Sequence, residues 1–227
     1  MSKGKGGGGS GGRGRWSAKV AGGGGAVSVE METGASMDRW VNRTFAGDPP
    51  TPSSFRNAFS IIGVNTHLEV STSVSGLNVR FRLNDAATGG LLGTGTRRIV
   101  QDKMATRGAK PRLSVIHDDF YLQSGAQGRG IGSRLLAKAE RSYKSWGVHE
   151  IRIPRAAEVG RYAWAKAGFR PTNMGPIRSA WKTHLSKAGK PTAGADRATM
   201  RQIVRHSEGK RFLTGPNAPA YAATKKL

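Results

Sequence analysis

The succession of patterns between residues 112 and 168 constrains the fold more than any other feature. "RLSVIHDDFYLQ" (112–123) is typical of a strand of mixed burial, and a loop with three glycines in five positions follows it. A helix pattern comes next, and then the strand "VHEIRI" (148–153). Two strands that are joined by one helix are most simply parallel, with a right-handed crossover. A second helix pattern over 156–168 completes a predicted βαβα unit.

The first helix pattern is amphipathic. Apolar residues recur along one face at intervals of four, four, four and three, at Ile131, Leu135, Ala139, Tyr143 and Trp146. Upstream, "LNVRFRLND" (77–85) alternates apolar with polar residues, as a half-buried strand does. The segment "LLGTGTRRIV" (91–100) follows a turn, so the two strands are predicted to form a hairpin.

Composition divides the chain into a central region and basic ends. Residues 1–26 are rich in Gly and Ser and carry five basic and no acidic residues, which predicts a flexible arm. Residues 27–59 are ambiguous, and residues 60–185 hold the predicted domain. Residues 186–227 are polar and basic, which favours a tail with a candidate short helix near 196–208. The predicted fold class is α/β (α+β), with a mixed twisted sheet, flanking helices and disordered basic tails.

The net charge of +23 suggests a polyanionic partner. More than half of the excess lies in residues 1–26 and 171–227, and mobile basic segments attract polyanions through counterion release. Nucleic acid is therefore a candidate partner, and solubilising tails are the alternative. Few aromatic residues are interleaved with the basic ones, so recognition by base stacking has no support.

Two absences narrow the function classes. The sequence has no cysteine, which excludes disulfides, thiolate zinc sites and covalent cysteine intermediates. It also has no run of about 18 apolar residues and no apolar secretory segment near the N-terminus. We therefore expect no membrane span and a cytoplasmic location, and the oligomeric state stays open.

The glycines of residues 128–132, here called the glycine loop, suggest anion binding. A glycine-rich loop that opens a helix offers several backbone N–H groups to one anion, although a tight turn without a ligand is the alternative. A nucleotide P-loop would need a closing Lys-Ser or Lys-Thr, and a dinucleotide fingerprint would need G-x-G-x-x-G. Neither occurs here. The pattern that fits is Q-x-x-G-x-G, formed by Gln127, Gly130 and Gly132.

That pattern resembles motif A of the GNAT superfamily of acyl-CoA N-acyltransferases, in which this loop holds the pyrophosphate of coenzyme A. "WAKAGF" (164–169) is similar to the family's second signature, an aromatic-x-Lys-x-Gly-Phe at a helix end. The resemblance covers roughly residues 60–180. The wording "VGRYAWAKAGF" further resembles a divergent branch found in phage and toxin-associated proteins. The resemblance implies a GNAT-like fold, with acetyl-CoA or another acyl-CoA as cosubstrate.

The resemblance also implies a set of binding residues. Backbone N–H groups around Tyr121 to Gln123 would face the acyl group, and those of the glycine loop would hold the pyrophosphate. Two arginines are candidate partners of CoA phosphates, with solvated surface arginines as the alternative. The full set of expected binding residues is Tyr121, Leu122, Gln123, Gln127, Gly128, Arg129, Gly130, Ile131, Gly132, Ser133 and Arg134.

The catalytic candidates are His117, Asp119 and Tyr162. Strand alternation predicts His117 and Asp119 on one face, and His117 is the better base because an imidazole titrates near 6.5. A histidine in an ordinary hydrogen bond is the alternative. The tyrosine that serves as the acid in the family falls on Trp164, whose indole cannot deliver a proton. Tyr162 lies about 200° around the helix and cannot simply take over from there.

The predicted function is acyl-CoA-dependent N-acyl transfer, in which an amine attacks the thioester directly in a ternary complex. The acceptor stays open between a basic protein, an aminated small molecule and a target bound to nucleic acid. A different class of function is a catalytically inactive protein on the same scaffold, which binds nucleic acid or a virion component through its basic tails. A plain structural domain is the third alternative.

Overall fold

The computed structural model describes residues 14–18, 25–33, 35–45, 50–73, 76–102, 112–156 and 159–227. The strands of these ranges are β1 (Gly14–Ala18), β2 (Val27–Thr33), β3 (Val64–Ser73), β4 (Gly76–Asp85), β5 (Leu91–Gln101), β6 (Leu113–Leu122), β7 (Val148–Ala156), β8 (Arg170–Pro171) and β9 (Tyr221–Lys226). The helices are α1 (Ala35–Thr44), α2 (Pro52–Phe59), α3 (Ile131–Ser145), α4 (Val159–Lys166), α5 (Gly175–Lys187), α6 (Met200–Arg205) and α7 (Gly209–Thr214).

The strands form one mixed sheet in the order β1-β2-β3-β4-β5-β6-β7-β9-β8. Strands β3 to β6 are an antiparallel meander, which confirms the predicted β4–β5 hairpin. Strands β6 and β7 are parallel and are joined by α3, as the crossover argument predicts. The predicted α/β architecture, a mixed sheet with flanking helices, is thereby confirmed.

Helices α2, α3 and α4 pack on the same face of the sheet. Phe59 of α2 contacts Phe81 of β4, with ring centroids 5.2 Å apart. Tyr143 of α3 and Trp164 of α4 both contact His117 of β6. The opposite face of β3 to β6, here called the open face, carries polar and charged side chains. The strand burial patterns alternate accordingly, with apolar residues toward the helices.

Residues 186–227 are folded, which corrects the prediction of a basic tail. The short helix near 196–208 is present as α6, and Thr199 and Gln202 form a capping box at its start. Strand β9 then enters the sheet between β7 and β8. The basic side chains of α6 and α7 point outward while Ile203 and Phe212 are buried, so a few apolar residues suffice to dock a segment whose overall composition is polar.

The ambiguous segment 27–59 also belongs to the fold. It contributes β2, which pairs in parallel with β3, and the helices α1 and α2. Together with β9, it extends the sheet beyond the predicted domain of 60–185. The predicted flexible arm of residues 1–26 lies largely outside the described residues, although 14–18 form β1.

Two element boundaries differ from the prediction. Strand β7 continues beyond residue 153 to Ala156, and α4 spans Val159–Lys166 rather than 156–168. A register shift in the β7–β9 pair accommodates Pro154, because proline is tolerated in a strand at such irregularities. Within the described ranges, no helix is long and apolar enough to cross a membrane.

Candidate active site

Strands β6 and β7 separate over their C-terminal halves. Their parallel pairing ends at Ile116 and Arg152, although β6 continues to Leu122 and β7 to Ala156. A wedge-shaped space, here called the strand gap, therefore opens between the two strands. Beyond that point, the described residues of the two strands form no ladder pairs with each other.

Alternation along β6 decides which of its amides face the strand gap. The amide of Gln123 donates to the carbonyl of Leu92 on β5 at 2.9 Å. Since main-chain groups of alternate residues point the same way, Tyr121 also faces β5, and Phe120 and Leu122 face the strand gap. The prediction that Gln123 offers its amide to an acyl group is therefore wrong. The amide of Leu122 is the one that points into the strand gap.

The glycine loop leads directly into α3. Gly130 is the N-cap residue with φ of +72°, and no side chain caps the helix. Gly128 has φ of +75°, and a Cβ atom at either glycine would meet no heavy atom within 4 Å. The left-handed backbone favours glycine at both positions, and the space ahead of the helix stays open. Gly132 differs, because a Cβ atom there would lie 3.0 Å from the Phe120 ring.

Side chains of the loop tie it to the sheet. Gln127 donates from Nε2 to the carbonyl of Leu122 at 3.0 Å. Arg129 lies with Nη2 3.7 Å from Oδ2 of Asp85 at the end of β4. Arg134 is exposed on the first turn of α3. Gln127 thus fixes the loop, and the two arginines stand beside the glycines without being buried.

A small buried cavity lies between the sheet and the helices α3 and α4. It has a volume of about 10 Å³, which is roughly the room that one water molecule needs. Three polar side chains line it, from Arg97 on β5, His117 on β6 and Tyr143 on α3. Trp164 of α4 lines it as well. Because β6 and β7 part just beyond Ile116, the cavity lies near the closed end of the strand gap.

His117 and Tyr143 are buried in this cavity. The exposed fractions are 3% for His117 and 1% for Tyr143, and among the described residues neither the ring nitrogens of His117 nor the Tyr143 Oη have a hydrogen-bond partner within bonding geometry. Burial, and then the charge of Arg97, hold the pKa of His117 well below 6.5. Burial raises the pKa of Tyr143 to about 12 against the opposing influence of Arg97. Both side chains are therefore neutral at pH 7.

Arg97 brings a positive charge to this cavity. Its guanidinium donates from Nη1 to the carbonyls of Thr96 and Asp119, and it lies 5.0 Å from the centroid of the Phe81 ring. It is 4% exposed, and burial lowers its pKa. No carboxylate of the described residues forms an ion pair with it. The bond to Asp119 holds β6 where its register changes.

A β-bulge separates the two predicted bases. Thr96 and Arg97 of β5 lie opposite Asp119 and His117, so Asp118 is an extra residue in β6. The prediction that His117 and Asp119 share a face is therefore wrong. The bulge leaves His117 in the buried cavity and turns Asp119 to the open face beside Thr96, because one added residue inverts the alternation beyond it.

The structure also separates the candidate acids. Trp164 lies with its ring centroid 5.7 Å from that of His117, whereas Tyr162 is half-buried and does not line the cavity. Tyr143 supplies the hydroxyl at this position. Sequence reasoning missed Tyr143 because its four-residue spacing matched a core face. It missed Arg97 as well, although period-two alternation with Ile99 would have directed Arg97 inward.

One group of side chains has the composition of a metal site. Ligand atoms of Asp102, His149 and Glu150 lie within 4.8 Å of one another. Arg152 binds both carboxylates, at 2.8 Å from Asp102 and 2.6 Å from Glu150, and Lys226 also binds Glu150. The carboxylates are thus compensated by cations of the protein, as in an ion-pair network between strands.

A protein-family model matches part of the chain. Residues 80–169 match the model described as the acetyltransferase (GNAT) family. The matched range contains the strand gap, the glycine loop and the second signature. No curated protein matches the sequence significantly.

Solved structures of acetyltransferases are similar over part of the fold. One, an acetyltransferase with acetyl-CoA from Clostridium acetobutylicum, has 21% identity and a TM-score of 0.36. A second, a mutant of the AtaT toxin bound to the C-terminus of the antitoxin AtaR and acetyl-CoA, has 22% identity and a TM-score of 0.34. Each match covers 42% of this chain and 60% of the other. The NatC complex bound to Gag peptide and CoA has 15% identity and a TM-score of 0.37, with 65% and 70% covered.

Proposed function

We propose that the protein is an acyl-CoA-dependent N-acyltransferase, which transfers an acetyl group from acetyl-CoA to an amine. The observation that carries this proposal is the uncapped start of α3 beside the strand gap. Backbone N–H groups at a helix N-terminus bind a diphosphate, and an extended chain fits along an unpaired strand edge. The family match over residues 80–169 supports the same chemistry.

The positions of these elements suggest one orientation for acetyl-CoA. The glycine loop lies at the open end of the strand gap, and the buried cavity lies near its closed end. A diphosphate on the amides of Ile131 to Ser133 would direct the pantetheine arm along β6. The amides of Phe120 and Leu122 would face that arm. Arg129 and Arg134 are positioned to add positive charge beside the phosphates.

The acceptor amine would approach from the open face. Asp119 is exposed there, next to the bulge, so its carboxylate can take a proton from the acceptor ammonium. His117 is neutral and can accept a proton, but its ring lies on the helix side of the sheet, away from the open face from which the amine would approach. We therefore assign the base to Asp119 and the polar environment of the reacting carbonyl to His117.

The departing sulfur needs a proton. Attack of the amine nitrogen on the thioester carbon breaks the C–S bond, and the nitrogen gives up two protons in total. One of these protons leaves to solvent through Asp119. The sulfur takes a proton from an acid in the site, and the second proton of the nitrogen restores that acid. Tyr143 is protonated at pH 7 and lines the cavity, so we propose it as the donor in place of Tyr162. Arg97 would stabilise the resulting phenolate.

A catalytically inactive scaffold is the second candidate. The observation in its favour is Trp164, which stands where the family has its acidic tyrosine. Such a protein would bind acetyl-CoA or nucleic acid without turnover. Release of free thiol from acetyl-CoA in the presence of an acceptor distinguishes the two, since only the enzyme releases it. Placement in a phage- or toxin-associated branch stays a prediction.

The test of the proposed function is acetyl-CoA affinity, measured by isothermal titration calorimetry on the wild type and Gly130→Asp. A carboxylate ahead of the α3 amides would repel the diphosphate, so we expect the variant to lose at least tenfold in affinity. Gly194→Asp is the matched control. Gly194 also precedes a helical turn, with φ of +75° and no heavy atom within 4 Å of an added Cβ.

The control separates charge at the site from strain. Both substitutions add one carboxylate at a left-handed glycine, so both should cost similar stability in thermal unfolding. Gly194→Asp should keep wild-type affinity. A wild type that fails to bind acetyl-CoA at millimolar concentration, or two variants with equal affinity, would refute the proposed donor site.

A further inference from the structure

The open face bears a groove next to the strand gap. The groove has a volume of about 510 Å³ and is lined by polar and charged side chains of β3 to β6 together with Phe81. Cross-strand pairing arranges two rows of residues across it. One row is Glu69, Arg80, Thr96 and Asp119, and the other is His67, Arg82, Thr94 and Tyr121. Paired residues of neighbouring strands share a face, so each row forms a continuous line.

The charges of the groove are separated. Asp119 stands at the edge beside the strand gap, and Arg80 lies two strands away in the same row. Two strand spacings correspond to about 10 Å. Arg82 lies on the same strand as Arg80 and faces the same way. Arg80 and Arg82 thus form a positive pair about 10 Å from Asp119. Glu69 lies beyond Arg80 in the same row, where it pairs with His67 at 3.8 Å.

These charges are not paired with each other. Considering only residues that the structure describes, Asp119, Arg80 and Arg82 have no ion-pair partner, and all three are exposed. The neighbouring Asp118, by contrast, is held by Arg98 at 2.6 and 2.7 Å. Exposed guanidinium groups without an ion-pair partner are well suited to bind a carboxylate or a phosphate through charge-assisted hydrogen bonds.

We infer that the acceptor is a primary amine that carries an anionic group about 10 Å from its nitrogen. The inference rests on the proposed function, and it names the acceptor class. The amine would lie at Asp119, and the anionic group would lie between Arg80 and Arg82. A polyamine or a Lys-rich peptide is disfavoured, because a second positive charge would meet the arginines. The net charge of +23 also draws anionic molecules to the protein.

The test is a set of matched probes, titrated by calorimetry into the full chain without acetyl-CoA. 6-Aminohexyl phosphate and 8-aminooctanoate each carry an amine and an anion, with the phosphorus or the carboxyl carbon eight bonds from the nitrogen. 1,6-Diaminohexane has a second amine instead, and hexyl phosphate lacks the amine. We expect the two compounds that carry both an amine and an anion to bind at least tenfold more tightly than the diamine. Tighter binding of the phosphate than of the carboxylate, or the reverse, identifies the anion that Arg80 and Arg82 prefer.

Variants locate the site. Arg80→Gln with Arg82→Gln should weaken 6-aminohexyl phosphate at least tenfold, since charge-assisted hydrogen bonds are lost. Arg201→Gln with Arg205→Gln removes the same charge from exposed positions on α6 and should change the affinity less than twofold. Diamine binding as tight as that of the phosphate, or equal affinities for the two double variants, would overturn the inference.

Failure of the proposed function would look different. These titrations need no acyl donor, so they report on the groove alone. If 6-aminohexyl phosphate binds as expected and the wild type does not bind acetyl-CoA, the groove is confirmed as an anionic-amine site and the transferase proposal falls. If acetyl-CoA binds and no probe does, the acceptor class is refuted and the donor site stands.

Discussion

At the scale of single residues, the polar side chains of the buried cavity are the least expected feature. Arg97, His117 and Tyr143 lie together without a carboxylate, and the last two have no hydrogen-bond partner among the described residues. Unsatisfied buried polar groups are costly, so they tend to mark sites where a ligand or water completes the bonding. Their position near the closed end of the strand gap agrees with a role at the reacting thioester.

His117 gives this cavity a pH dependence. In the unfolded chain the pKa of histidine is about 6.5, and burial keeps it well below that value in the folded protein. The unfolded state therefore binds more protons as the pH falls below 6.5, and the free energy of unfolding decreases. The contribution of His117 is fully present above pH 6.5 and is lost toward its folded pKa.

The substitution His117→Phe tests whether His117 causes this decrease of the free energy of unfolding at low pH. Chemical unfolding of the wild type and the variant is measured at pH 7.5 and pH 5.5. Between these two pH values, the free energy of unfolding of the wild type should fall by about 1.4 kcal/mol more than that of the variant. Comparing each protein with itself cancels the cost of the substitution. An equal loss in both proteins would contradict the assignment of a buried, neutral histidine.

At the scale of elements, β9 completes the sheet beside the site. Tyr221 is buried at its start and donates from Oη to the carbonyl of Arg161 on α4 at 2.6 Å. The guanidinium of Arg161 in turn binds the carbonyls of Leu213 and Gly215. The C-terminal strand thereby holds α4, which carries Trp164 to the cavity.

Tyr221→Phe should destabilise the protein by about 1 kcal/mol, because the buried hydrogen bond to the Arg161 carbonyl is lost. Thermal or chemical unfolding measures the change. Tyr121→Phe is the control, since Tyr121 is 56% exposed and its hydroxyl makes only a long contact of 3.5 Å to Gln123. Equal stability of Tyr221→Phe and the wild type would show that β9 does not hold α4 in this way.

Local patterns predicted the elements that form the donor side of the site. The four-residue spacing from Ile131 to Tyr143 and the alternation from Leu77 to Leu83 each report one buried face, so α3 and β4 could be read directly. The glycine loop could be predicted because a left-handed backbone favours glycine, as at Gly128 and Gly130. The binding roles of its residues stay predictions.

The bulge and the C-terminal strand could not be predicted in the same way. Asp118 is an extra residue only with respect to the register of β5, and no local pattern of β6 encodes that register. Strand β9 depends on Tyr221 and Ala223 packing into a sheet assembled by distant residues. A polar segment with so few apolar residues predicts a tail, because the strands and helices against which it packs are not visible in its own sequence.

At the scale of the whole molecule, the sheet separates the two proposed substrate sites. The helices and the glycine loop lie on the side where the donor would bind, and the open face offers its charges to the acceptor. The bulge in β6 connects the two sides, since His117 faces one and Asp119 the other. Binding of nucleic acid by the basic segments stays a prediction, and residues 186–227 would contribute to it as a folded surface.

The central claim, that the strand gap and the α3 amides hold the donor, is tested most directly by hydrogen–deuterium exchange with and without saturating acetyl-CoA. We predict slower exchange in peptides that cover residues 117–134, because the ligand would occupy the amides of Phe120, Leu122 and the glycine loop. Peptides of β3 on the open face should be unchanged. Saturated binding with no protection over 117–134 would contradict the account.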